Sequence, residues 1–183
     1  MFSFQNSQSG ALDETVDPLL PRLRAKLPRP LVFTNGVFDI LHAGHVACLA
    51  EARRHGRSLV VGINTDASAR RLVKGPGRPL NNAVDRARVI GALASVTTVV
   101  LYDEDKPLAL MRALQPDVYV KGGDCEAEHL EETGLLATWG GHTVIVPRLS
   151  NLSTSILVER IWAAQAFSGD ALAAEPSRST SHR

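Results

Sequence analysis

The run Thr34-Asn35-Gly36-Val37-Phe38-Asp39-Ile40-Leu41-His42-Ala43-Gly44-His45 ends in two histidines that flank a glycine. It follows the apolar segment Leu31-Val32-Phe33 and leads into a helical pattern, so the pair stands where a strand turns into a helix. Gly36 permits a close turn there. The start of a helix exposes N–H groups without intrahelical partners and the positive end of the helix dipole, which together bind anions. Both imidazoles can approach one phosphate beside Gly44. Donors so placed stabilise the charge that builds on the equatorial oxygens of a phosphorus under in-line attack. A lone histidine at a helix start is an ordinary polar residue; a pair at a strand-to-helix junction points to phosphate chemistry. Zinc is a weaker reading, because no third ligand stands at recognisable spacing.

Three further stretches hold groups suited to a nucleotide. Lys74 lies in the Gly/Pro-rich run Lys74-Gly75-Pro76-Gly77-Arg78-Pro79, and Arg86 follows Asp85 further on. Lysine offers a point charge and arginine a planar fork, so the two would suit phosphate oxygens differently. Solvated surface cations are the default for such residues. Val120-Lys121-Gly122-Gly123-Asp124 closes a strand-like segment. Its glycines let backbone come close to a base or ribose, and Asp124 can accept bonds from ribose hydroxyls, although Gly-Gly-Asp alone is a common turn. Ser153-Thr154-Ser155 opens the last helical segment. Hydroxyls there are helix caps by default, and a capped helix start is also a phosphate site. Thr34 and Asn35 at the strand end are candidate phosphate contacts. Asp39 is a candidate acceptor of substrate hydroxyls, against a default role in forming the turn.

These residues need a frame, and the hydrophobic pattern predicts one. Short apolar runs at Leu31–Phe33, Leu59–Ile63, Thr97–Leu101, Asp117–Val120 and Thr143–Val146 read as strands. Helical segments are expected at His45–His55, Ala83–Leu93, Pro107–Leu114, Glu126–Trp139 and Ser155–Phe167. Near-continuous apolar strands alternating with helices predict an α/β fold: a single Rossmann-like domain with a parallel five-stranded sheet covered by helices on both faces. Ligands in such sheets bind beyond the carboxyl ends of the strands, where the loops after Phe33, Ile63, Val120 and Val146 lie. The domain is expected over 31–167. Residues 1–30 read as an arm with a short amphipathic helix around Pro18–Leu27, and 168–183, rich in Ser and Ala, as a disordered tail.

Bulk properties narrow the classes. With 183 residues and 44% hydrophobic content the chain can bury a core of its own. A formal net charge of +1 gives no long-range attraction to nucleic acid or to an anionic membrane, so any anion must be held by local chemistry. Two cysteines, Cys48 and Cys125, exclude a disulfide framework, and Cys48 reads as a buried structural thiol. No run approaches a membrane span and the first residues lack a signal pattern, so a cytoplasmic protein is expected. A dinucleotide-binding dehydrogenase is disfavoured, since no Gly-x-Gly-x-x-Gly follows the first strand.

From about Leu31 to Ile161 the chain resembles the cytidylyltransferase-like nucleotidyltransferase superfamily, of which His-x-Gly-His is the signature. Within it, Asn35-Gly-Val-Phe-Asp-Ile-Leu-His-Ala-Gly-His45, Val120-Lys-Gly-Gly-Asp124 and Ser153-Thr-Ser155 are similar to the adenylyltransferases of ADP-heptose synthesis. Two places depart from that pattern: Cys125 stands where an aromatic residue is common, and Ser150-Asn151-Leu152 where a glycine is usual. The resemblance implies transfer of AMP from ATP to D-glycero-β-D-manno-heptose 1-phosphate for lipopolysaccharide, with release of pyrophosphate. It implies catalytic roles for His42, His45, Lys74 and Arg86, and nucleotide contacts from Thr34, Asn35, Gly36, Gly44, Gly122, Asp124, Ser153, Thr154 and Ser155. Asp39 and Lys74 would meet the acceptor. Mg²⁺ would arrive with ATP, since the sequence shows no acidic cage for it. A homodimer is expected on the same ground, as are separate heptose kinase and phosphatase enzymes, because the chain has no room for the sugar kinase often fused in that family. Two other readings stay open: a cytidylyltransferase acting on glycerol 3-phosphate or another small phosphorylated acceptor, and a nucleotide-binding regulator without turnover.

Overall fold

A computed structural model of the protein describes residues 19–72, 77–123, 126–147 and 153–172, with side chains of the last helix described to 164. Five parallel strands form its centre: β1 (Leu31–Gly36), β2 (Ser58–Asn64), β3 (Thr98–Tyr102), β4 (Val118–Gly122) and β5 (His142–Val146). Their spatial order is β3-β2-β1-β4-β5. The chain therefore builds outward from β1 in one direction, then returns and builds in the other. The crevice where the order reverses lies between β1 and β4, at their carboxyl ends.

β1 and β2 are central, and Leu31, Val32, Phe33 and every residue of β2 are buried. Side chains alternate across the sheet. Val32, Leu59, Val61, Ile63, Val118 and Val120 enter a core with Leu49 and Ala52 of α2 (Ala43–Arg54) and Ala87 and Ile90 of α4 (Ala83–Gly91). Leu31, Phe33, Val60, Tyr102 and Tyr119 enter the opposite core. There they meet Leu110, Met111 and Leu114 of α5 (Leu108–Leu114) and Leu136 of α6 (Glu131–Ala137). Both faces are thus covered, which is why the strands read as continuous apolar runs. Gly62 is required by packing: a Cβ there would stand 2.9 Å from the ring of Phe33.

Helix α1 (Leu19–Lys26) leans on the second core through Leu20 and Leu23. Arg29 then pairs with Asp117 at 2.7 Å and donates to the Gln115 carbonyl, fixing the approach to β1 beside the start of β4. Three elements differ from the pattern expected of the sequence. The expected helix over Glu126–Trp139 is broken into a 3-10 turn at Ala127–His129 and α6. A short helix α3 (Asp66–Arg71), which the sequence pattern did not reveal, follows β2 and is capped by Thr65. Helix α7 runs Thr154–Leu172, past the boundary expected at 167. The rest of the expected tail lies outside the described residues, as does the polar lead before Leu19.

Candidate active site

β1 ends at Gly36 on the central strand, and its loop crosses directly into α2, so the histidine pair is held at the sheet's reversal point. His42 is the N-cap of α2, in extended conformation. Its carbonyl accepts from His45 N–H at 2.9 Å and Val46 N–H at 3.2 Å, and its Nδ1 accepts from the same His45 N–H at 3.3 Å. An Nδ1 that accepts carries no proton, so neutral His42 holds its hydrogen on Nε2. The N–H groups of Ala43 and Gly44 have no partner among the described residues, which leaves them for an anion.

The His42 and His45 rings stack with centroids 3.7 Å apart, and Phe38 meets His45 edge-on at 5.1 Å. Burial, followed by the neighbouring charge of His42, pulls His45 down to about 4; the Ile40 carbonyl opposes them. His45 Nδ1 is nonetheless buried without an aligned hydrogen bond. Burial also lowers His42. The pair is therefore two neutral N–H donors at neutral pH. An unfolded histidine titrates near 6.5, so between pH 6.5 and about 4 the unfolded chain binds the extra proton, and stability falls as pH drops through that window. NMR titration of the ligand-free protein is expected to show the His45 ring titrating near pH 4. A midpoint at the unperturbed value would contradict this account.

The amino end of α7 arrives beside the same loop. Thr154 Oγ1 approaches the Ile40 carbonyl at 3.5 Å, and Ser153 caps the helix by accepting from Ile156 N–H at 3.2 Å. The Ser153 hydroxyl hydrogen has no acceptor among the described residues, and Ser155 is exposed. Across the crevice, Gly122 ends β4 so close to α2 that a Cβ would stand 3.1 Å from Cys48 Sγ. Gly123 has φ 134, a conformation that favours glycine, and donates to the Val146 carbonyl. Thr34 is buried under the loop. Asp124 and Lys74 lie outside the described residues.

Two expected ligand contacts are turned inward. The Asp39 carboxylate, 5% exposed, accepts from Leu80 N–H at 2.8 Å and Asn81 N–H at 2.9 Å. Arg78 Nε lies 2.7 Å from its other oxygen, an ion pair whose N–H direction is poorly aligned for a hydrogen bond. Asp39 thus ties the histidine loop to the segment that follows the Lys74 run, instead of facing an acceptor. Arg86 is 2% exposed. Its guanidinium donates to the carbonyls of Asn81, Val37 and Asn64 and pairs with Asp66 at 2.7 Å. Four of its five N–H directions are taken by the protein, which leaves one hydrogen of Nη1 for any other acceptor. Asn35, expected to face phosphate, spends its amide on Tyr102 and Tyr119. Those tyrosines had no signal in the sequence, where they pass for ordinary strand aromatics.

Among the described residues no group of three His, Cys, Asp or Glu is placed to hold a metal ion. No described helix is long and apolar enough to cross a membrane.

Residues 33–160 match the family model described as cytidylyltransferase-like. The chain is 52% identical over 136 residues to the D-beta-D-heptose 1-phosphate adenylyltransferase of Bordetella bronchiseptica, covering 74% of this chain and 84% of that protein. It is 50% identical over 152 residues to the bifunctional protein HldE of Streptomyces coelicolor, covering 82% of this chain and 32% of that protein. The chain thus spans about a third of the length of that bifunctional relative. Among solved structures it is similar to the lipopolysaccharide core biosynthesis protein from Thermoplasma volcanium, with a TM-score of 0.55 and 29% identity. That likeness covers 65% of this chain and 95% of the other.

Proposed function

This chain belongs to the cytidylyltransferase-like family, and from that premise we propose that it transfers AMP from MgATP to D-glycero-β-D-manno-heptose 1-phosphate, releasing pyrophosphate and forming ADP-heptose for lipopolysaccharide. The observation that carries the chemistry is the stacked, neutral His42–His45 pair beside the Ala43 and Gly44 N–H groups, which have no partner among the described residues. The 52% identity to a heptose 1-phosphate adenylyltransferase supports the choice of substrates.

A phosphate oxygen of the sugar attacks the α-phosphorus. A new P–O bond forms as the bond to the β-phosphate oxygen breaks, and its electron pair leaves with pyrophosphate. No protein nucleophile takes part. His42 Nε2–H, His45 and the first N–H groups of α2 hold the triphosphate and meet the charge that builds on its oxygens. Ser153 and Thr154, beside the same loop, steady the leaving pyrophosphate. Lys74 brings a cation to the phosphates. Arg86 and Asp39 serve by holding the loops in register, as their internal bonds require. Mg²⁺ enters as part of the MgATP substrate. The same reading carries a homodimer in the cytoplasm, with exposed Ile161 and Trp162 of α7 as apolar surface, and a separate kinase and phosphatase to supply the sugar phosphate.

The test is pyrophosphate release, with ATP and CTP crossed against heptose 1-phosphate and glycerol 3-phosphate. Release is expected with ATP plus heptose 1-phosphate alone, and is expected to stop when Mg²⁺ is chelated. Release with CTP and glycerol 3-phosphate would keep the mechanism and replace the substrates. Nucleotide binding with no release in any pairing would replace the enzyme with a regulator.

A further inference from the structure

Helix α3 is fastened to the loop after β3 by one side of its own surface. Thr65, Ser68 and Arg71 follow one another at intervals of three, so they line up along the helix. They meet three consecutive residues, Asp103, Glu104 and Asp105. The Thr65 hydroxyl donates to the Asp103 carboxylate, Ser68 Oγ donates to the Glu104 carbonyl at 2.9 Å, and Arg71 Nε donates to the Asp105 carboxylate at 2.8 Å. Arg71 Nη2 also donates to the Asp103 carbonyl. Ser68 is fully buried and accepts from Asn64 Nδ2 at 2.8 Å, which ties the helix to the end of β2 as well. A helix of six residues does not persist in water by itself, so these side chains are what fix it.

Arg71 is the last of these anchors, and Lys74 follows it by three residues. Beyond Lys74 comes Arg78, whose Nε lies 2.7 Å from the Asp39 carboxylate in the histidine loop. Two arginine–aspartate pairs therefore bound the six residues from Leu72 to Gly77. One pair stands after β3 and the other after β1, on either side of β2 in the order of the sheet. A stretch tied at both ends has fewer conformations to lose than the same stretch tied at one, so part of the ordering of its lysine is done before substrate arrives. The Arg71 and Asp105 side chains are about half exposed, at 45% and 59%, and such a pair adds little to global stability. Its effect is local, at the root of the segment that carries Lys74.

We propose that Arg71, held by Asp103 and Asp105, is a positioning residue for Lys74, and that together with the Asp39–Arg78 pair it sets where the lysine meets the phosphates. This rests on the adenylyltransferase reading above. Arg71 acts through Lys74 and touches no substrate, since its fork is spent on the loop after β3.

Arg71→Gln and Asp105→Asn each remove one half of the pair, and both are made in the parent protein and in a Lys74→Ala background. In the parent each is expected to lower kcat for pyrophosphate release about tenfold, the cost of fixing about one more residue at each turnover, with the melting temperature unchanged. In the Lys74→Ala background neither is expected to lower kcat further, because the pair acts through the lysine. Cleavage after Lys74 by a lysine-specific protease reads the same loosening without turnover, and is expected to quicken about tenfold in each variant. Parent-like kcat or parent-like cleavage in both variants would overturn the proposal, as would the same tenfold loss in the absence of Lys74. A fall in melting temperature that matches the loss of turnover would also overturn it, by making the pair a support of the whole fold. A parent protein that releases no pyrophosphate would overturn the adenylyltransferase reading, while the cleavage comparison would still decide whether the pair holds the segment.

Discussion

Replacement of His45 by alanine is expected to lower turnover at least about a hundredfold, the loss typical of one preorganised donor to a transition-state oxyanion. The ring is fixed before substrate arrives, stacked on His42 and braced by the edge of Phe38. Its depressed proton affinity keeps it a neutral donor across the physiological range. Little reorganisation is therefore needed when charge develops, which is why a single ring carries so large a share. The effect should fall mainly on kcat, because the donor matters most when the phosphorus is fully charged. His42 needs a subtler exchange, since alanine there would also remove the N-cap of α2, at a cost of about 1 kcal/mol. Asparagine caps well but lacks the imidazole, so His42→Asn should keep the melting temperature while losing turnover. Parent-like rates from a folded His45→Ala protein would remove the pair from the chemistry.

Arg86→Ala is expected to act through the fold. Its guanidinium holds the Val37, Asn64 and Asn81 carbonyls and Asp66, so the histidine loop, the end of β2 and the entry to α4 converge on one side chain. Removing it leaves buried carbonyls without donors and Asp66 without its partner, at a cost of about 3 kcal/mol. For a chain of this length that lowers Tm by roughly 10 °C. Lysine cannot recover the loss, because one ammonium cannot reach acceptors spread around a planar fork. Turnover should fall with the stability, as the loop carrying His42 loses its anchor. A variant with an unchanged Tm and weakened ATP binding would instead make Arg86 a direct phosphate ligand.

The sequence foretold the sheet because its cause is local. Strands buried on both faces must be apolar throughout, and this pattern marks all five, from Leu31–Phe33 to Thr143–Val146. Helix α3 escaped because Asp66–Arg71 is short and charged, with no apolar period to mark it. The expected helix over Glu126–Trp139 was overrun because periodicity says little about where a short helix is interrupted.

The site divides along the same line. Residue type and spacing by themselves determined that His42 and His45 stand at a strand-to-helix junction, because both are fixed by neighbours in the chain. They equally determined that hydroxyls open α7. Only the tertiary structure decided where the charged side chains point. Asp39 and Arg86 carry the chemistry of ligand contacts, yet most of their partners come from segments 20 to 49 residues away and turn them into the protein. Asn35, Tyr102, Tyr119 and Lys121 meet only because β1 lies between β2 and β4, with β3 beyond β2. A motif records what a residue can do; the strand order and the loops packed over it decide what that residue touches.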